Sequence, residues 1–201
     1  MTDIPFSSVA APIVKKALEA AAPTIRNGAG KIAKNIIDSV IANLQIGFTP
    51  YLQASYERAS SVKTLLSQDR PLALLDVYVN LFLTCAEINT TDDDLIGDLQ
   101  KYRHVVITGL AGCGKSMLLR YLTICHFERH KGTIPIFVEM RRLNTITSKN
   151  ILAYIHSSCS TAGSNITLDQ FTIALRTGGI IIILDGLDVP VHIPPAGASS
   201  G

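Results

Sequence analysis

GLAGCGKS, at residues 109–116, is the stretch that decides the fold of this 201-residue chain. Its three glycines let the backbone turn tightly and bring bare N–H groups close to a ligand. Lys115 adds an ammonium group, and Ser116 adds a hydroxyl group. This spacing, G-x-x-x-x-G-K-[ST], is typical of a loop that binds polyphosphate, with the lysine on the β- and γ-phosphates and the hydroxyl on Mg²⁺.

The residues on either side of the loop predict the strand–loop–helix context that the motif requires. Residues 105–108, VVIT, are mainly β-branched and predict a short buried strand. Residues 117–127 carry apolar side chains at helical spacing and predict a helix, whose N-terminus adds partial positive charge beside the loop. A glycine-rich turn before an ordinary helix is the alternative, and the flanking elements favour the phosphate loop. We expect these residues to bind the nucleotide: Gly109, Leu110, Ala111, Gly112, Cys113, Gly114, Lys115, Ser116 and Met117.

The second informative stretch is IIIILDGLD, at residues 180–188. Its apolar run predicts a strand that is buried on both faces, with Asp185 at the C-terminal end. A carboxylate at that position can hold Mg²⁺, directly or through water, beside the Ser116 hydroxyl. An apolar strand that ends in aspartate is common by itself, but downstream of a phosphate loop it is a strong candidate for a Walker B strand. We therefore expect Ser116 and Asp185 to be the Mg²⁺ ligands.

The rest of the chain predicts a helical N-terminal arm followed by alternating strands and helices. Apolar periodicity predicts helices over about residues 12–22, 31–47, 50–67, 90–101, 150–160 and 168–176, with Pro23 ending the first, and strands over 77–83 and 134–140. The apolar stripe of the second helix favours packing against a neighbouring helix. Membrane contact by residues 8–48 is the weaker alternative, because the arm carries little excess positive charge.

Composition narrows the class of protein. Hydrophobic residues make up 47% and charged residues 17%, so the chain can bury a core. A net charge of +2 does not favour nucleic acid as a partner. The scattered cysteines lack metal-ligand spacing, which favours reduced thiols and a cytoplasmic location. His126 and His130 do not form an H-E-x-x-H motif, and we expect them at the surface rather than on zinc.

The loop block VVITGLAGCGKSMLLRYL (105–122) and the ending LDGLD together resemble NACHT-type signal-transduction NTPases, the group that includes NOD-like immune receptors. The resemblance covers roughly residues 50–189. It implies an α/β fold, a partial P-loop NTPase with a three-layer α/β/α sheet preceded by an all-α arm. The corresponding domains are the arm (1–68), the partial NACHT domain (69–189) and a disordered tail (190–201).

The resemblance also implies a function. It predicts a switch that binds ATP or ADP with Mg²⁺ and hydrolyses ATP slowly, with Lys115, Asp185 and Asp188 as its catalytic residues. Expected partners are the nucleotide and, through self-association, other NACHT-type chains, in cytoplasmic immune or defence signalling. Val189 stands where the family usually has glutamate, so we expect binding to be better preserved than hydrolysis.

The family order of strands, 5-1-4-3-2, continues beyond the last strand found here, so we expect a truncated product or fragment. Strands 105–108 and 180–184 would then pair directly, or leave a gap for another chain. Two other classes stay open. One is a small P-loop kinase or a GTPase, although no Asn-Lys-x-Asp guanine box is present. The other is a non-enzymatic interaction or membrane-active module with a degenerate NTPase half.

Overall fold

The computed structural model describes residues 6–64, 67–85, 88–99, 102, 104–129, 132–140, 150–160 and 166–186. Within these ranges the elements are, in chain order, α1 (Phe6–Gly28), α2 (Lys34–Gly47), α3 (Thr49–Ser60), β1 (Ser61–Thr64), β2 (Ser67–Ala73), α4 (Leu74–Val77), β3 (Phe82–Cys85), β4 (Ile88–Thr91), α5 (Asp92–Asp98), α6 (Lys115–Glu128), β5 (Ile134–Glu139), α7 (Ile151–Cys159), α8 (Leu168–Arg176) and β6 (Ile180–Asp185). Asp188, Val189 and His130 lie outside the described residues.

Helix α1 is longer than the sequence predicts. The predicted break at Pro23 is wrong, because the helix contains both Pro12 and Pro23 and ends at Gly28. A proline in a helix interior removes one backbone hydrogen bond and crowds the preceding turn. A continuous buried stripe compensates for that cost, because tertiary packing supplies most helix stability in proteins. The stripe consists of Ala10, Val14, Ala17, Leu18, Ala21 and Ile25, which are all at most 3% exposed.

The third helix is shorter than predicted. It begins at Thr49, with Pro50 in its first turn, and ends at Ser60 instead of residue 67. The chain then enters β1, which pairs antiparallel with β2.

The predicted strand over 77–83 is wrong. Tyr78–Leu81 has no regular structure, and only β3, which pairs antiparallel with β4, is extended. Tertiary contacts hold the segment instead, because Asp92 Oδ2 accepts hydrogen bonds from the Tyr78 hydroxyl at 2.6 Å and from the Leu81 N–H at 3.0 Å. The Tyr78 ring also stacks on the ring of Tyr121, with centroids 4.1 Å apart.

Strands β5 and β6 form a parallel pair whose register runs from Ile134 opposite Ile180 to Glu139 opposite Asp185. Both strands were expected from their apolar runs. Helix α6 packs on both strands, and α8 packs on β6. The shared register places the carboxyl ends of the two strands side by side at one edge of the sheet.

The predicted strand over residues 105–108 is wrong. None of the two-stranded sheets in the described residues includes this segment, which has no regular structure. Val106 is 81% exposed. β-Branched residues favour a strand only where a neighbouring strand and a packed face receive them, and this segment has neither. Of the two alternatives for residues 105–108 and 180–184, direct pairing is therefore not formed.

The helical arm (α1–α3) and the nucleotide-binding half, which contains the phosphate loop, α6, β5, α8 and β6, share one hydrophobic core. Helices α1 and α3 pack on α6, and α2 packs on α8. Phe48 and Phe171 meet at this junction with ring centroids 5.7 Å apart. The expected helix–helix packing of the arm is present, whereas the domain boundary at residue 68 stays a prediction. Among the described residues, no helix combines the length and apolar character that spanning a bilayer requires.

Candidate functional site

The glycines of the loop hold backbone conformations that side chains disfavour. Gly112 has a φ of 80° and Gly114 a φ of 92°, both in the left-handed region. Gly114 is also the residue from which α6 starts. A Cβ atom on Gly109 would lie 2.8 Å from Cys113 Sγ, so the first glycine allows a close approach within the loop. The loop geometry thus depends on all three glycines of the motif.

Lys115 folds back across this loop. Its Nζ donates hydrogen bonds of 2.8 Å to the carbonyl oxygens of Gly109 and Leu110, and lies 3.7 Å from Cys113 Sγ. An ammonium group has three N–H donors, so two go to the carbonyl oxygens and the third makes the longer contact with the Cys113 sulfur. The loop therefore orients its single positive charge through its own carbonyl groups.

Ser116 and Asp185 are brought together by the fold. The Ser116 hydroxyl donates a hydrogen bond of 2.9 Å to Asp185 Oδ1. Asp185 is 9% exposed at the carboxyl end of β6, whereas Ser116 lies exposed in the first turn of α6. Because α6 packs on both strands of the parallel pair, its N-terminus reaches this edge even though residues 105–108 form no strand.

The other predicted ligand positions differ in exposure. Leu110 is 84% exposed, and Ala111 and Cys113 are also exposed, so their backbone groups are open to solvent. Met117 is half-buried and packs against the core, which makes it a supporting residue of the loop.

The residues present fit a magnesium nucleotide. Hydroxyl and carboxylate oxygens are ligands that Mg²⁺ prefers, and the Ser116–Asp185 contact puts one of each at a single point. In the described part of the chain, no cluster of three or more His, Cys, Asp or Glu side chains could hold a metal ion. The pair would therefore hold Mg²⁺ together with phosphate oxygens and water, as is usual for this ion. The left-handed glycines and the start of α6 fit a phosphate beside it.

Asp92, Asp93 and Asp94 form the first turn of α5. Each of the three carboxylates has its own partner in the structure. Asp94 completes a capping box with Thr91. Asp92 holds the Tyr78–Leu81 segment, whose Leu81 side chain lies 3.6 Å from the position of a Cβ on Gly114.

Asp93 ties α5 to the far end of α6. It accepts hydrogen bonds from the Arg129 guanidinium and from the Tyr121 hydroxyl. The Arg129 bond, and next the Tyr121 bond, hold the pKa of the Asp93 carboxyl below its usual value. Sequence reasoning missed these two contacts, because the tyrosine and the arginine lie 28 and 36 positions away from Asp93 in the chain.

His126 is a correction to the sequence analysis. The side chain is 0% exposed rather than at the surface, and its Nδ1 lies 3.1 Å from the Leu122 carbonyl oxygen. It occupies the face of α6 that enters the core, which a spacing of four residues along one helix could not reveal.

Comparison with known families identifies one region of the chain. Residues 103–199, just under half of the chain, match the family model of the NACHT domain. No curated protein and no solved structure matches the chain. The matched region contains the loop, α6 and β6. The resemblance inferred from the two motifs is thus confirmed, and residues 103–199 are similar to the NACHT domain of P-loop NTPases.

Proposed function

We propose that this chain binds ATP or ADP with Mg²⁺ on residues 109–117 and acts as a nucleotide-dependent switch in signal transduction. The observation that carries the proposal is the 2.9 Å hydrogen bond between Ser116 and Asp185, next to a loop whose lysine is already oriented by backbone carbonyls. The NACHT match supports the same class of function.

Each residue has a role in this proposal. The backbone N–H groups of the loop and of the α6 N-terminus bind phosphate oxygens, and Lys115 exchanges its contact with Cys113 Sγ for the β- and γ-phosphates. Ser116 and Asp185 exchange their mutual hydrogen bond for a shared Mg²⁺ ion. Bound Mg²⁺ neutralises charge on the phosphate oxygens.

Slow ATP hydrolysis is part of the proposal. Water attacks the γ-phosphorus in line, the bond to the β-phosphate oxygen breaks, and ADP and phosphate leave. Lys115 stabilises the charge that develops on the leaving oxygen, and Asp188 positions the water. Because Val189 stands where the family usually has glutamate, we expect nucleotide binding to be better preserved than ATP hydrolysis.

A switch requires a route from the nucleotide to an output surface. Helix α6 begins at the loop, and its sides pack on α1 and α3. A change at the α6 N-terminus therefore reaches the arm through direct packing. We propose self-association or recruitment of other NACHT-type chains through the arm, in cytoplasmic immune or defence signalling, with the three-layer sheet completed in the active assembly.

The test is ATP affinity measured by calorimetry for the wild-type chain and for Lys115→Ala. A hydrogen bond to a charged group contributes about 1.5–3 kcal/mol, so we expect affinity to fall by roughly 10- to 150-fold. Lys16→Ala, which removes an exposed lysine of α1, is the matched control and should bind like the wild type. Equal affinity of Lys115→Ala and wild type would remove the assignment. Preference for GTP, or transfer of phosphate to a small acceptor, would favour the GTPase or kinase alternatives.

A further inference from the structure

A separate cavity lies where α3, α6, β5 and α7 meet, away from the phosphate loop. Its volume is about 150 Å³, and its lining includes Tyr51, Ser55, Arg58, Arg120, Glu139 and Tyr154. None of the loop residues and neither Ser116 nor Asp185 contributes to the lining. Drug-sized pockets measure ~300–1,000 Å³, so this space suits a much smaller ligand or a single functional group.

Hydrogen-bond donors in this cavity outnumber their partners. Within the described part of the chain, the hydroxyl groups of Ser55 and Tyr154 make no hydrogen bond, although Ser55 is only 4% exposed. Arg58 uses Nε on the Ala54 carbonyl of its own helix, and Arg120 uses Nη1 on the Ser61 carbonyl at 3.4 Å. The remaining guanidinium nitrogens have no hydrogen-bond acceptor among the described residues. Arg58 is exposed and Arg120 and Tyr154 are half-buried, so these donors are open to a ligand that enters the cavity.

The charge of the lining defines the class of that occupant. Two arginines, Arg58 and Arg120, line the cavity together with one acidic residue, Glu139. Planar guanidinium groups match the oxygens of phosphate and carboxylate groups through paired N–H bonds. We propose that this cavity binds a small oxyanion, a free phosphate or a small carboxylic acid, through Arg58 and Arg120, with Ser55 and Tyr154 as additional donors.

The site would link the arm to the nucleotide-binding half. Arg58 belongs to α3 of the arm, and Arg120 lies one turn after Ser116 on α6. Glu139 lies in register beside Asp185. An oxyanion held by both guanidinium groups therefore bridges the arm to the helix that begins at the phosphate loop. The proposal stands independently of nucleotide binding, because it uses none of the loop residues.

The experiment is thermal unfolding of the full chain with increasing inorganic phosphate, and in parallel with malonate, at constant ionic strength set by sodium chloride. Lys115→Ala is the background, because it weakens phosphate binding by the loop. At about 100 times Kd, we expect the midpoint of unfolding to rise by roughly 5–10 °C. Protection by phosphate alone assigns a phosphate group, and protection by malonate assigns a carboxylic acid.

Variants then locate the site. In the Lys115→Ala background, Arg58→Gln and Arg120→Gln should lose at least tenfold in phosphate or malonate affinity, while Arg176→Gln, an exposed arginine of α8, should lose none. Ser55→Ala is the milder variant, should a guanidinium substitution impair folding, and should weaken binding severalfold. The proposal is overturned if neither anion raises the midpoint, or if Arg58→Gln and Arg176→Gln respond alike.

Discussion

Ser116 and Asp185 are 69 positions apart in the chain, and one hydrogen bond of 2.9 Å joins their side chains. That contact needs no bound ion, because the hydroxyl proton satisfies the carboxylate directly. In the proposed function, Mg²⁺ would take the place of this contact, with both oxygens as its ligands. The two side chains would then have a structural role without nucleotide and a binding role with it.

We predict that Ser116→Ala and Asp185→Asn each remove most of the Mg²⁺ dependence of ATP binding. Each substitution removes one oxygen ligand or its charge, and we expect roughly a tenfold loss of affinity with Mg²⁺, or about 1.4 kcal/mol. Affinity in EDTA should change little. Ser157→Ala is the control, because this serine of α7 bonds only to a carbonyl of its own helix. Unchanged Mg²⁺ dependence in both variants would exclude the pair as ligands.

Asp93 allows a prediction about pH. Its pKa is held below the usual value by Arg129 and Tyr121, so the charged form is favoured in the folded state. This contribution to stability is present above the unfolded pKa of about 3.9 and is lost as the pH falls through the lower folded pKa. Solvent screening keeps the effect small, because the side chain is 45% exposed.

We therefore expect Asp93→Asn to lose less unfolding free energy than the wild type between pH 6 and pH 2, as measured by urea denaturation. Asp76→Asn, at an exposed position of α4, is the control and should follow the wild type. A steeper acid loss in Asp93→Asn than in the wild type would contradict the assignment.

At the scale of elements, the C-terminal end of α1 is in close contact with the turn that leads into β6. A Cβ on Gly28 would lie 2.2 Å from the Thr177 carbonyl oxygen, and one on Gly179 would lie 2.2 Å from Ile25 Cγ1. The C-terminal end of the long first helix can approach the turn this closely only because both contact points lack a side chain. Gly28 and Gly179 therefore allow the arm to pack closely on the nucleotide-binding half.

We predict that Gly28→Ala lowers the free energy of unfolding by about 1–3 kcal/mol, because the added methyl group must displace backbone. Gly97→Ala is the matched control. Gly97 lies inside α5 with no atom within 4 Å of the added Cβ, so alanine should be neutral or stabilising by up to ~1 kcal/mol. Chemical denaturation compares the two, and equal stability would show that the α1 contact is not tight in solution.

At the scale of the whole molecule, one core joins the arm to the NACHT segment. Buried residues of α1, α2 and α3 belong to the same cluster as those of α6, β5 and α8. Small domains with one core usually unfold in a single cooperative transition. Arm and nucleotide-binding half should therefore unfold together, although the motifs occupy only the second of them.

We predict that Phe48→Ala lowers the stability of the entire chain by about 3–5 kcal/mol, because this ring is 0% exposed and packs against Phe171. Ile46→Ala, two positions away and 73% exposed, should change stability by less than about 0.5 kcal/mol. Circular dichroism and tyrosine fluorescence should report the same midpoint for each variant. Two separated transitions in the wild type would show that the arm folds as an independent domain.

The amino-acid sequence by itself determined the features that depend on short-range spacing. The phosphate loop, the helix that follows it and the strand ending in Asp185 need only neighbouring residues for their recognition. The NACHT resemblance has the same basis, because its two motifs are local.

Only the tertiary structure decided the features that depend on residues distant in sequence. Residues 105–108 have the composition of a strand but no partner strand among the described residues, and His126 lies in the core. Helix α1 continues through Pro23 because its buried apolar stripe stabilises it. The cavity proposed to bind an oxyanion is lined by residues of three helices and one strand. The physical reason is the same for all of them. Strand pairing, burial and the shape of a cavity depend on contacts between segments that are distant in sequence, and local sequence patterns carry no information about those contacts.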